Sequence, residues 1–212
     1  MERRDLLRLL GAGTLARVAS GCDRIVLLGD APALDPITPN DLFYNYQCCG
    51  LPDLDPATHE TRILHEDTEL ARITTPFLQA LPGRTKEHTL ECIGASPRVQ
   101  NISNAVWTGL PLVEILDALG VEVPASAVGL RLVGADGYHA GLPIEDLEDG
   151  PLWLAWEMNG EPLPFLNGAP ARLLVPGRYG VKNLKWLDEI AFVDTPHVSY
   201  WTERGWDEEA RY

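Results

Sequence analysis

One stretch constrains this chain more than any other: Asn159 to Trp186, NGEPLPFLNGAPARLLVPGRYGVKNLKW. Asn159-Gly160 predicts a tight hairpin turn, because both residues tolerate the positive φ that such turns demand. Pro162 and Pro164 lack the N–H that a central strand donates, so the returning segment belongs at a sheet edge or outside the sheet. Ala171–Val175 is an apolar run that suits a short buried strand. In and after it stand Arg172, Arg178, Lys182 and Lys185, four cations within 14 residues. The chain as a whole carries a net charge of −14. Cations gathered in one Gly/Pro-rich loop of such a chain form either a solvated basic face or a seat for an anion. Arg offers a planar fork and Lys a point charge, while Gly177 and Gly180 let backbone N–H groups approach a ligand. Lys182 and Lys185 are spaced so that both reach one anion from a loop. The segment reads as a pocket wall for a phosphate-bearing ligand.

A second stretch, Leu90 to Leu112, supplies Cys92 at the end of a predicted strand (Lys86–Ile93) and the start of an irregular loop (Gly94–Asn104). A thiolate there is a soft metal ligand or a nucleophile; the alternative is a small buried hydrophobe. Trp107 is a core aromatic or a pocket wall, and Tyr44 and Tyr46 are amphipathic enough to line the same space. Cys48-Cys49 reads as two buried thiols, a redox pair or a vicinal disulfide. Asp136-Gly137-Tyr138 is first a turn and second a polar contact to a ligand. None of the five histidines is assigned a role.

Several classes are excluded. The acidic balance argues against nucleic acid, whose backbone rewards basic faces. Four cysteines show no CxxC and no zinc spacing with histidine. GxGxxG, GxxxxGK[ST] and GxSxG are all absent, which removes the usual dinucleotide, P-loop and nucleophile-elbow readings.

Taken in order, residues 1–22 predict an export signal: Arg3-Arg4 with Leu6-Leu7 matches the twin-arginine pattern, and Ala19-Ser20-Gly21-Cys22 resembles a lipoprotein cleavage box. The segment is too short and charged to span a membrane. Residues 23–40 read as a linker and 41–212 as the main domain. Asp41–Cys49 is extended. Strands are expected at Thr61–His65, Val128–Val133, Leu152–Met158 and Leu187–Val193. Helices are expected at Thr75–Leu81, capped by Thr75, at Leu110–Leu119 before Gly120, and as a turn at Ile144–Leu147. Strands and helices do not alternate strictly, so the fold class is mixed α+β.

These motifs together carry a resemblance. DLFY (41–44), TLECIG (89–94), ISNAVWTGLPLVEIL (102–116), ADGYHAGLP (135–143), residues 158–186 and YWTERGWD (200–207) resemble the molybdopterin-binding oxidoreductase domain of the sulfite oxidase family. The likeness is strongest to compact bacterial members such as the catalytic subunit of the periplasmic methionine sulfoxide reductase. It implies mixed sheets around a buried molybdenum cofactor, with the metal held by the pterin dithiolene and one protein cysteine, which Cys92 matches. Tyr44, Asn45, Asn167, Arg172, Asn183, Leu184 and Lys185 match cofactor-contacting positions, Asp136 or its neighbour Ala135 lies at another, and Tyr44 with Cys92 match the catalytic ones. Sulfite-oxidising members carry an Arg and a His where this chain has Tyr46 and Cys48, which speaks against sulfite. The resemblance implies oxygen-atom transfer on a small substrate, with electrons exchanged with a separate haem membrane protein or cytochrome. A monomer is expected, and the N-terminal signal pattern adds a periplasmic or extracytoplasmic location with a lipid tether through Cys22. The rival expectations are a non-catalytic cofactor- or phosphate-binding lipoprotein and a thiol-redox protein built on Cys48-Cys49.

Overall fold

The computed structural model describes residues 36–95, 101–148 and 152–212. The expected signal with Cys22 and residues 23–35 of the expected linker lie outside them. Ile37–Tyr212 forms one unit.

Among the described residues, its strands make two five-stranded sheets. The first contains β1 (Glu60–His65), β2 (Thr68–Thr74), β5 (Gly129–Gly134), β6 (His139–Pro143) and β10 (Leu187–Val193), in the order β2-β1-β10-β5-β6. β1 and β10 run parallel and every other pair is antiparallel, so the sheet is mixed. The second is antiparallel: β3 (Arg84–Glu91), β4 (Ile102–Pro111), β7 (Trp153–Met158) and the two-residue β8 (Glu161–Pro162), with β9 (Arg172–Leu174) also paired to β7. This agrees with the α+β class expected from the sequence.

β10 lies at the centre of the first sheet and is buried along nearly its whole length, as its continuous apolar run demands. Ile190 and Phe192 join the main core, whereas Ala191 and Val193 pack on Leu64 on the other face. The buried Glu189 carboxylate receives Arg62 at 3.1 Å and Arg131 at 2.8 Å, tying β1, β10 and β5 together. In the second sheet a bulge at Trp156 sets Ala155 opposite Gly109 and Glu157 opposite Thr108. Leu154 and Trp156 therefore enter the main core, while Trp153, Ala155 and Met158 face a second cluster around Phe43, Leu90 and Trp107. Burying a side chain such as Phe192 or Leu154 stabilises the fold by roughly 1.5–3 kcal/mol.

The first helix, α1 (Thr75–Ala80), starts one residue earlier than expected: Thr74, not Thr75, accepts the Phe77 N–H, at 3.2 Å. Thr75 donates its hydroxyl to the Pro56 carbonyl instead. α2 (Leu112–Leu119) begins two residues late because Leu110 and Pro111 end β4; it stops at Gly120, whose φ of 68° takes the left-handed cap. α3 (Glu145–Glu148) falls close to the expected helical turn.

Three sequence expectations need correction. β3 ends at Glu91, so Cys92 lies just beyond the strand. Ile102–Asn104, expected in a loop, opens β4, whose burial alternates from Ile102 to Gly109. β6 was not anticipated at all, because HAGLP has small side chains and no apolar alternation. The Asn159-Gly160 turn forms as expected, with φ of 54° and 78°.

Candidate functional site

The loops that leave these strands converge on a cavity of about 710 Å³, counting its open mouth. Eight of the nine expected site residues line it: Tyr44, Cys92, Asp136 and Asn167, then Arg172, Asn183, Leu184 and Lys185. The ninth, Asn45, stands beside it: its amide donates to the Leu166 carbonyl at 2.7 Å and accepts from Lys185 Nζ at 2.9 Å.

Arg172 is the central charge. β9 carries it into the wall, where it is buried. Its two terminal nitrogens donate to the carbonyls of Asn167 (2.9 Å) and Asn183 (3.1 Å), and its guanidinium lies 5.1 Å over the Trp107 ring. No carboxylate pairs with it among the described residues, and its Nε has no partner. Burial pulls its pKa down to about 10, against a small upward pull from Tyr44. A buried charge without a counter-charge is costly, so the wall is built for an anion that arrives from outside the chain.

Lys185 adds a second, half-buried cation. Its ammonium donates to Asn45, to the Leu166 carbonyl (3.2 Å) and to Gln47 (3.4 Å), and sits 4.2 Å over the Trp186 ring. Desolvation, then repulsion from Arg172, lowers its pKa to about 7. Asn183 shapes the loop between them: its side chain accepts from the Val175 N–H at 2.6 Å and donates to the carbonyls of Arg178 and Tyr179. Leu184 is buried and lines the cavity beside them.

Cys92 is a free, partly buried thiol whose N–H donates to the Asn101 carbonyl at 2.9 Å. Tyr44 is anchored through its N–H on Ser103 Oγ at 3.0 Å. Burial raises its phenol to about 12 despite Arg172, so it remains a donor at neutral pH. Its hydroxyl lies so close to Gly180 that a Cβ there would stand 2.7 Å from it, and a larger residue would have to displace the Tyr44 phenol. Gly168 is similarly constrained, with φ of 117° and Arg172 and Lys185 atoms 3.0 Å from any Cβ. Asp136 accepts the Tyr138 N–H at 3.1 Å, and burial raises its pKa.

The other two cations of the loop do not face the cavity, contrary to the expectation that Lys182 and Lys185 would share one anion. Lys182 is buried against Glu208 at 2.6 Å, Ser199 at 2.7 Å and the Gly141 carbonyl. Arg178 is buried against Asp146 and the Glu209 carbonyl. Both are structural ion pairs with partners remote in sequence. Trp107 belongs to the core, donating its indole N–H to the His88 carbonyl at 3.0 Å, and reaches the site through Arg172 and through Phe43, a cavity-lining ring it meets edge-on at 5.6 Å. Cys48 and Cys49 are free and half-buried, and of the two only Cys48 lines the cavity, beside Tyr46 and Gln47. Tyr138 and Trp201 also line it, although neither stood among the expected site residues. Tyr138 donates to the Val181 carbonyl at 2.6 Å.

These features fit a phosphate-bearing cofactor with a soft metal: a thiol, a buried uncompensated guanidinium, a second cation and two glycines where a Cβ would intrude. The family comparison identifies the class. The profile for the oxidoreductase molybdopterin binding domain matches residues 49–201, and the chain belongs to that family, an enzyme of the sulfite oxidase type whose group is the molybdenum cofactor. Among individual relatives, mitochondrial sulfite oxidase of Rattus norvegicus is 28% identical over 79% of this chain and 35% of its own length. The protein-methionine-sulfoxide reductase catalytic subunit MsrP of Xanthomonas campestris is 34% identical over 45% of this chain and 34% of its own. The chain therefore spans about a third of each of these two relatives. The solved structure of the sulfane dehydrogenase SoxCD from Paracoccus pantotrophus superposes with a TM-score of 0.66 at 26% identity, over 80% of this chain and 49% of that one.

Proposed function

We propose that this protein catalyses oxygen-atom transfer to or from a small substrate, exchanging electrons with a separate haem membrane protein or cytochrome. It would act as a monomer in the periplasm, tethered through Cys22. The observation that carries the reading is Arg172, a buried guanidinium with no acidic partner among the described residues, on the same cavity as the Cys92 thiol.

In this reading Cys92 binds the metal, and Arg172 with Lys185 neutralises the cofactor phosphate. The bound cofactor supplies a two-electron centre at which an oxygen atom is exchanged between water and substrate. The chain's own groups position and gate. Tyr44 keeps its proton and offers a hydrogen bond into the cavity. Asn183 fixes the loop so that its carbonyl and that of Asn167 aim the guanidinium. The Trp186 ring and the Asn45 side chain hold the Lys185 ammonium in place. The lining residues Tyr46, Gln47 and Cys48 contribute no cation of their own, which favours a substrate other than sulfite.

Protein purified from a host that makes the cofactor should carry close to one molybdenum and one pterin per chain. Metal-free and pterin-free protein would sink the proposal. Cys92→Ser should retain pterin and lose most turnover; unchanged turnover removes Cys92 from the metal.

A further inference from the structure

An aromatic series leads away from the cavity that the proposed activity does not use. Tyr138 and Trp201 line the cavity, and Tyr200 packs between them, 5.6 Å from Tyr138 and 5.3 Å from Trp201 between ring centroids. Trp201 in turn meets Trp206 edge-on at 6.1 Å. A small cleft beside the main cavity is lined by Ile93, the residue after Cys92, together with Tyr138, Trp201, Trp206 and Asp207. Trp206 thus shares a cleft with the metal-binding segment at one end and is 44% exposed at the other. Its backbone is fixed: a short 3-10 turn (Thr202–Arg204) and Gly205 at φ 88° bring the Trp206 N–H onto the Trp201 carbonyl at 3.1 Å. A large indole held rigidly half in water is expensive without a partner, and such residues concentrate at interfaces.

The surrounding charge is acidic. Glu203, Asp207 and Glu209 are exposed. The bases of the same segment are already engaged: Arg204 lies 3.6 Å over the Tyr200 ring and 3.3 Å from Glu203, and Arg211 is shared between Asp146 and Glu209. Asp207, next to Trp206, has no basic partner among the described residues. The net charge of −14 extends this bias over the molecule.

We propose that the face around Trp206 and Asp207 docks a cationic one-electron haem protein, with Trp201 and Trp206 as the contact between that haem and the cavity. This rests on the molybdenum reading above. For substrate oxidation the balance is substrate plus water giving oxygenated substrate, two protons and two electrons. The electrons pass one at a time to two ferric haem proteins, each reduced to ferrous; for substrate reduction every term reverses. No bond forms or breaks on the aromatic side chains, which act only as the coupling medium.

The test uses the full-length protein and a basic monohaem cytochrome c. Calorimetric affinity should fall about fivefold or more in Trp206→Ala, and should weaken as salt rises from about 20 to about 200 mM. Dithionite-reduced protein, freed of excess reductant, should reduce two haems per molybdenum. Trp206→Ala should slow that step about fivefold or more while leaving transfer to the small dye dichlorophenolindophenol unchanged. Trp206→Phe, which keeps a ring, should stay near wild type. The proposal is overturned if Trp206→Ala binds and reduces the cytochrome as wild type does, if it slows dye and cytochrome equally, or if an acidic cytochrome binds as tightly as the basic one. Protein without molybdenum would reduce no haem in any variant and so refute the cofactor reading. The calorimetric comparison would still decide the docking face.

Discussion

At the scale of the residue, Arg172 and Lys185 differ in how the fold treats their charge. Arg172 keeps its proton at neutral pH and is held by two carbonyls and the Trp107 ring, with no carboxylate among the described residues. Arg172→Met removes the charge but not the volume. Cofactor retention should drop about tenfold or more, with the melting temperature of purified protein moving to that of cofactor-free protein. Pterin fluorescence and thermal melting check both; full cofactor retention would discount Arg172. Lys185 titrates near neutrality in the cofactor-free fold, against about 10.4 in an unfolded chain. Between those values the folded chain holds fewer protons than the unfolded one, so its stability rises with pH across that window. Anion binding has the opposite slope, because only the protonated ammonium attracts an anion. The affinity of cofactor-free protein for sulfate, an anion that does not itself titrate there, should fall as pH rises from about 6 to about 9. Lys185→Arg should flatten the profile, and a flat wild-type profile would remove Lys185 from the anion seat.

At the scale of the element, the loop Gly177–Lys185 owes its path to the chain's last residues. Tyr179 donates its N–H to the Ala210 carbonyl at 2.8 Å and packs against Tyr212, while Lys182 and Arg178 are buried on Glu208 and the Glu209 carbonyl. Burial pushes the Glu208 carboxyl up, but hydrogen bonds from Lys182 and Ser199 overcome it and hold the pKa at about 2. A depressed carboxyl contributes stability that is complete above its unfolded value, about 4.3, and is lost as pH falls toward 2. Thermal melts from pH 6 to pH 3 should therefore show an acid decline that Glu208→Gln shrinks, at the cost of a lower plateau near neutrality. An unchanged acid limb would show that other carboxylates carry it. The same element shows what the sequence could reveal. Its turns, edge prolines and buried run were legible because each is a local property of a few residues. The division of its four cations was not, since Lys182 and Arg178 are neutralised by Glu208 and Asp146, 26 and 32 positions away. β4 escaped for a related reason: Ser103, Ala105 and Gly109 are small inward residues whose alternation only the packed sheet reveals. Trp201 was hidden because nothing local separates a cavity-lining indole from one in a solvated acidic tail.

At the scale of the molecule, the two sheets share a core that does not depend on the cavity, whereas the cavity wall is made of loops. Loading the cofactor should therefore protect amide hydrogens at 44–48, 135–138 and 180–185 and leave those of β10 unchanged in hydrogen exchange. Protection spread evenly over β10 would mean that the cofactor organises the core itself.

The cavity's walls come from positions 43–48, 90–92, 136–138, 166–185 and 201, so segments from near both ends of Ile37–Tyr212 meet around one cavity. No short fragment of the polypeptide contains the site. Retained pterin is thus a certificate of complete tertiary assembly: a single protease cut that frees the strap at 199–212 should release the cofactor even while most of the β-sheet circular dichroism survives.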